Sequence, residues 1–112
     1  MNDIKLIIND FYDYLKKERA LSPHTIDAYR NDLNLFISSF PKTLSDLSQI
    51  DKDMIYNFLS QEFDKNLNSK TIARRLASIK SLFKYLIISE QINHNPSINI
   101  KTPKVEKKLP NF

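Results

Sequence analysis

Apolar side chains recur at helical spacing along almost all of this 112-residue chain, and that period constrains its fold more than any other feature. Ile4, Ile7, Ile8, Phe11, Tyr14 and Leu15 follow i, i+3, i+4, i+7 spacing. They predict a first helix over residues 3–19, capped by Asn2 or Asp3. Ser22-Pro23 opens a second. Serine accepts a hydrogen bond from a free backbone N–H, and proline at the first helical position gives up no needed donor. Its stripe is Ile26, Tyr29, Leu33, Phe36 and Ile37, and Pro41 lies just beyond its end. Asp51 is placed to cap a third helix, with Met54 or Ile55, then Phe58, Leu59 and Phe63 facing inward. A fourth and longest helix is expected over residues 69–89, capped by Asn68, with Ile72, Leu76, Ile79, Phe83, Leu86 and Ile87 on its apolar side. No segment alternates long enough to make a strand. The expectation is an all-α bundle of four main helices over residues 1–94. Residues 95–112 read as an extended basic linker, rich in lysine and proline after Asn95-Pro96.

Glycine and cysteine are both absent. Without glycine there is no dinucleotide fingerprint and no phosphate-cradling loop. Asn66 and Asn68 stand where glycine would end a helix, asparagine being the next residue best tolerated at positive φ. Without cysteine there is no disulfide, thiolate site or thiol nucleophile, which fits a cytoplasmic setting. Two histidines, His24 and His94, are too few for a histidine-rich metal site, so no metal or other cofactor is expected. The longest uninterrupted apolar run is four residues, Tyr85 to Ile88, too short to cross a membrane.

The formal net charge of +4 conceals an asymmetry. Residues 1–64 hold seven basic and eleven acidic side chains, and residues 65–112 hold ten basic and two acidic, so −4 and +8 sum to +4. Such an imbalance suits a polyanion, nucleic acid above all, although a solvated lysine surface produces the same count. On a helical wheel, Lys70, Arg74, Ala77, Lys80, Ser81 and Lys84 fall opposite the apolar stripe of the fourth helix. Small residues let a helix approach a groove, lysines neutralise phosphates, and Arg74 has the reach for a guanine edge. Arg75 projects to the apolar side, where an acidic partner at the core margin is expected. The start of the second helix offers Ser22, His24, Thr25 and Arg30, which suit a phosphate or simply cap the helix. Asp10, Asp13, Asp27, Asp32, Asp51 and Asp53 read as polar-face or capping residues. None of the five tyrosines, Tyr12, Tyr14, Tyr29, Tyr56 and Tyr85, has a visible activating base, and no acid–base pair is evident.

Taken together, the motifs resemble the N-terminal core-binding domain of tyrosine recombinases, the Xer-type members and related phage integrases most of all. Leu21, Ser22, Thr25, Ala28, Tyr29, Asp32 and Leu33 match the family's opening signature. Thr71, Arg74, Leu76, Tyr85 and Leu86 resemble its long-helix signature. Ile92, Asn95-Pro96, Pro103-Lys104 and Lys108-Leu109-Pro110 resemble its exit. The resemblance covers nearly the whole chain, in family order. It implies a SAM-like helical bundle that clamps double-stranded DNA together with a downstream catalytic domain. The second and fourth helices would face the major groove. It points to Thr25, Tyr29 and Arg30 on the second helix, and to Lys70, Arg74, Ser78, Lys80, Ser81 and Lys84 on the fourth. Lys101, Lys104, Lys107 and Lys108 of the linker would run along phosphates. The family cuts DNA through a tyrosine nucleophile and a covalent phosphotyrosyl intermediate in its downstream domain. Phe112 falls about where that domain would begin, so these residues are expected to bind DNA without cutting it. Further recombinase protomers are the expected partners of the intact protein, and a monomer is expected for the 112 residues alone. The competing reading is a helical protein–protein interaction module whose basic face meets an acidic partner.

Overall fold

The computed structural model describes residues 3–65 and 68–101. Four helices account for most of them: α1 (Asp3–Lys17), α2 (Pro23–Ser38), α3 (Lys52–Asp64) and α4 (Ser69–Ile88). No strand occurs among the described residues. The helix starts follow the capping chemistry of the sequence. Ser22 Oγ accepts from the Thr25 N–H at 3.2 Å, with Pro23 at the first helical position. Asp51 Oδ1 accepts from the Met54 N–H at 2.9 Å. Asn68 Oδ1 accepts from the Lys70 N–H at 2.7 Å. Each bond satisfies a backbone donor that has no partner within its helix.

The helix ends differ from expectation. Asn68 is an N-cap in extended conformation, φ −60 and ψ 143, and not a left-handed terminator. Asn66 lies outside the described residues. Among the described residues the positive-φ positions are Ala20 at 53° and Glu90 at 60°. At the end of α4 the Gln91 N–H donates to Leu86 O at 2.9 Å and the Glu90 N–H donates to Ile87 O at 3.0 Å. This is the paired closure that usually places glycine where Glu90 stands.

Helix α4 is the hub, packing against α1, α2 and α3. Its Ile72, Leu76, Ile79, Leu82, Phe83 and Leu86 are buried against Phe11 and Leu15 of α1, Leu33 and Phe36 of α2, and Ile55 and Leu59 of α3. Each such side chain contributes roughly 1.5–3 kcal/mol on burial. Phe36 meets Phe58 edge-on at 5.2 Å, joining α2 to α3. The connection between those helices holds a short 3-10 turn, Leu47–Gln49, closed by a reciprocal cap. Asp46 Oδ1 accepts from the Ser48 N–H at 2.9 Å, and Gln49 Oε1 accepts from the Asp46 N–H at 3.2 Å. The turn drives Leu47 and Ile50 into the core.

Two expectations are corrected. Phe63, expected on the apolar stripe of α3, is 41% exposed, and Glu62 takes the buried position. About 100° per residue puts Glu62 some 20° from Ile55 on the wheel and Phe63 some 80° away. The second correction concerns residues 95–100, expected in the linker. Asn95 Oδ1 accepts from the Ser97 N–H at 2.9 Å and from Ser97 Oγ at 2.7 Å. That turn buries Pro96 and Ser97 and sets Ile100 in the core at 0% exposure. The packed chain therefore runs past residue 94 to Ile100. Lys101 is exposed. Lys104, Lys107 and Lys108 lie outside the described residues. No helix among the described residues is long and apolar enough to cross a membrane.

Candidate nucleic-acid interface

The side of α4 turned away from the core carries no carboxylate, because α4 contains no acidic residue. Lys70, Ala73, Arg74, Ala77 and Lys84 are exposed, and Lys80 and Ser81 are half-buried. The stripe from Lys70 to Lys84 extends over about 21 Å at 1.5 Å per residue. Lys70, Lys80 and Lys84 form no ion pair among the described residues. Basic ends flank a middle of short side chains, broken by one long one, Arg74.

Arg74 is anchored. Its Nε donates to Asp32 Oδ2 at 3.0 Å and its Nη2 donates to Asp32 Oδ1 at 2.5 Å, a bidentate pair between α4 and α2. The Arg74 side chain is 48% exposed while that of Asp32 is 1% exposed. The hydrogen bond to Asp32 raises the Arg74 pKa above its already high value, and partial burial opposes the shift. The guanidinium is thus charged at every working pH. Ser78 Oγ also donates to Asp32 Oδ2, at 2.8 Å. Arg75 Nε lies 3.6 Å from Asp32 Oδ1, and Arg75 Nη1 pairs with Glu62 Oε1. Glu62 accepts from Lys65 Nζ at 3.0 Å through its other oxygen. Two buried carboxylates and three cations thus tie α2, α3 and α4 together. A buried carboxylate is costly unless its lone pairs are filled, and here three donor atoms hydrogen-bond to Asp32.

The expected contact residues separate on this framework. Thr25, Tyr29, Arg74 and Ser78 line one shallow groove of about 280 Å³ between α2 and α4, with His24, Ala28, Asp32 and Ala77. Tyr29 is half-buried against Phe11, and its hydroxyl lies 3.4 Å from Ser81 Oγ. Thr25 accepts from Ser22 Oγ at 3.1 Å. Ser78, expected to face DNA, is buried and spends its hydroxyl on Asp32, so it supports the surface from beneath. Arg30 is exposed but lies over the Tyr12 ring of α1 at 4.3 Å, outside the groove. Arg75 meets an acidic partner at the core margin, as its position on the wheel implied. Asp32 is the residue the polar-face reading missed. It stands some 40° from Phe36 and 60° from Tyr29 on the wheel, just outside the edge of the apolar stripe, so its angle marks a margin position and only its partners on α4 account for its burial. Among the described residues no three His, Asp or Glu side chains converge to hold a metal ion.

A family model for the phage integrase N-terminal SAM-like domain matches residues 8–90. The chain is 36% identical over 112 residues to the tyrosine recombinase XerD of Listeria innocua, covering 98% of this chain and 37% of that protein. It is 41% identical over 107 residues to the tyrosine recombinase XerC of Natranaerobius thermophilus, covering 92% of this chain and 35% of that protein. The XerC of Oceanobacillus iheyensis is 28% identical over 113 residues, covering 100% of this chain and 37% of that protein. The chain thus spans little more than a third of the length of these relatives. No solved structure matches it.

Proposed function

Because the chain belongs to the family of phage integrase N-terminal SAM-like domains, we propose that it binds duplex DNA as the core-binding half of a site-specific tyrosine recombinase. The observation that carries this reading is the acid-free face of α4. Exposed Lys70 and Lys84 supply phosphate-neutralising charge, and between them Arg74 stands among the small residues Ala73 and Ala77, which permit close approach. The adjoining edge of α2 adds Thr25 and Tyr29. Exposed Lys101, next to buried Ile100, supplies a further cation. Strand cleavage would belong to a downstream domain bearing the tyrosine nucleophile, and other recombinase protomers would join on the recombination site.

Fluorescence-anisotropy titration of short duplexes at stepped salt tests the proposal. Contact with about five to seven phosphates predicts that log K falls against log salt with a slope of about −5 to −6. Saturable binding with that steep dependence is the expected outcome. No binding at low salt, or binding indifferent to salt, would sink it.

A further inference from the structure

The lysines on α4 and its one exposed arginine are built differently. Lys70 and Lys84 are exposed ammonium groups without an ion pair among the described residues, suited to a phosphate wherever it lies. Arg74 has its charge compensated by Asp32 and its plane fixed by two hydrogen bonds along the Nε–Nη2 edge. Compensation weakens its attraction for a phosphate. Fixing the plane helps only where direction matters, as it does for a neutral acceptor pair. The bonds to Asp32 use one N–H on Nε and one on Nη2. The remaining N–H of Nη2 and its neighbour on Nη1 leave the far end of the fork open. That end matches the paired O6 and N7 acceptors of a guanine in the major groove. Exposed Ala73 and Ala77 beside Arg74 leave room for base edges to approach.

We infer that Asp32, seated by Ser78, is a positioning residue that holds Arg74 end-on to read a guanine, so that the Asp32–Arg74 pair sets sequence preference at a cost in bulk affinity. The inference rests on the duplex-binding reading above. Ser78 donates to the same Oδ2 that accepts from Arg74 Nε, so it limits rotation of the carboxylate. Arg75 Nε, 3.6 Å from Oδ1, adds a second positive charge beside the carboxylate.

Selection from a duplex library with a randomised core, carried out with the 112-residue chain and its variants, tests this. Circular dichroism checks that each variant is folded. The unsubstituted chain is expected to favour guanine at one position by roughly 5- to 150-fold. Arg74→Lys keeps the charge but loses the planar fork, so that preference collapses while the salt slope stays within about one of its original value. Asp32→Asn frees the Arg74 charge. It is expected to tighten binding to unselected duplex while lowering the guanine preference, two opposite changes that mere loss of structure does not produce. If Asp32→Asn does not fold, Ser78→Ala carries the test of positioning with a smaller fall in preference. An unchanged preference in Arg74→Lys, or in both folded Asp32 and Ser78 variants, overturns the inference. So does a parent chain that binds duplex with no base preference, an outcome that leaves the duplex-binding reading standing. Absence of any duplex binding at low salt fails that prior reading instead.

Discussion

Glu90 does a glycine's task in a chain that has no glycine. It closes α4 at φ 60°, where a Cβ is crowded against the backbone, and its carboxylate sits at the negative end of the helix dipole. Glu90→Gly removes both penalties and is expected to raise stability by about 1 kcal/mol, read as a higher urea midpoint with an unchanged slope. Tyr12 illustrates a different local cost. Its hydroxyl is buried with no hydrogen-bond partner among the described residues. Burial pushes its pKa above the ordinary tyrosine value, with the nearby Arg30 guanidinium pulling the other way. The folded state therefore holds the Tyr12 proton more tightly than the unfolded chain does. Its stabilising effect is complete below the unfolded value of about 10 and is lost as pH rises through the higher folded value. Tyr12→Phe is expected to lessen the alkaline loss of stability and to change neutral-pH stability by less than about 1 kcal/mol. Part of the alkaline loss remains, because burial followed by Asp10 also raises the Tyr85 pKa. Denaturation curves at stepped pH, comparing the two chains, check both statements.

At the scale of the element, α4 divides its circumference between two tasks. Ile72, Leu76, Ile79, Leu82, Phe83 and Leu86 bury one side, while Lys70, Arg74 and Lys84 stand on the other. The periodicity made this division legible, because a helix of fixed pitch converts spacing into direction. The same rule located Arg75 at the core margin. It also held the answer for Glu62, whose wheel angle lies inside the apolar stripe of α3, whereas Asp32 lies some 40° outside the stripe of α2, next to Phe36. Residue type alone argued for solvent there, since a carboxylate is seldom buried without partners. Its partners come from α4, tens of positions away in sequence for Asp32. The 3-10 turn was illegible for another reason: Leu47–Gln49 is too short to establish any period. On the outward face, Lys84→Gln is expected to weaken duplex binding on all sequences alike and to lessen the salt slope by about 1. An unaltered slope in the anisotropy titration would remove Lys84 from the phosphate contacts.

For the whole molecule, the decisive feature is that the packed core reaches Ile100. Ile100 is wholly buried, and the Asn95–Ser97 turn that delivers it also buries Pro96 and Ser97. Ile100→Ala is expected to cost about 2–5 kcal/mol, the range for truncating a core aliphatic side chain, with urea denaturation as the measure. A change below about 0.5 kcal/mol would return residue 100 to the linker. Residues 95–100 and α4 are thus parts of one packed body, and Lys101 directly after them is exposed. By itself the sequence determined the helices, the caps of α2, α3 and α4 and the basic outer face of α4. Each depends on neighbours within a few positions, whose geometry the helix sets in advance. Only the tertiary structure decided that Asp32 is buried, that Arg74 is held rather than free, and that residues 95–100 join the core. Those outcomes depend on which distant donors and apolar walls meet a side chain, and no local pattern records that meeting.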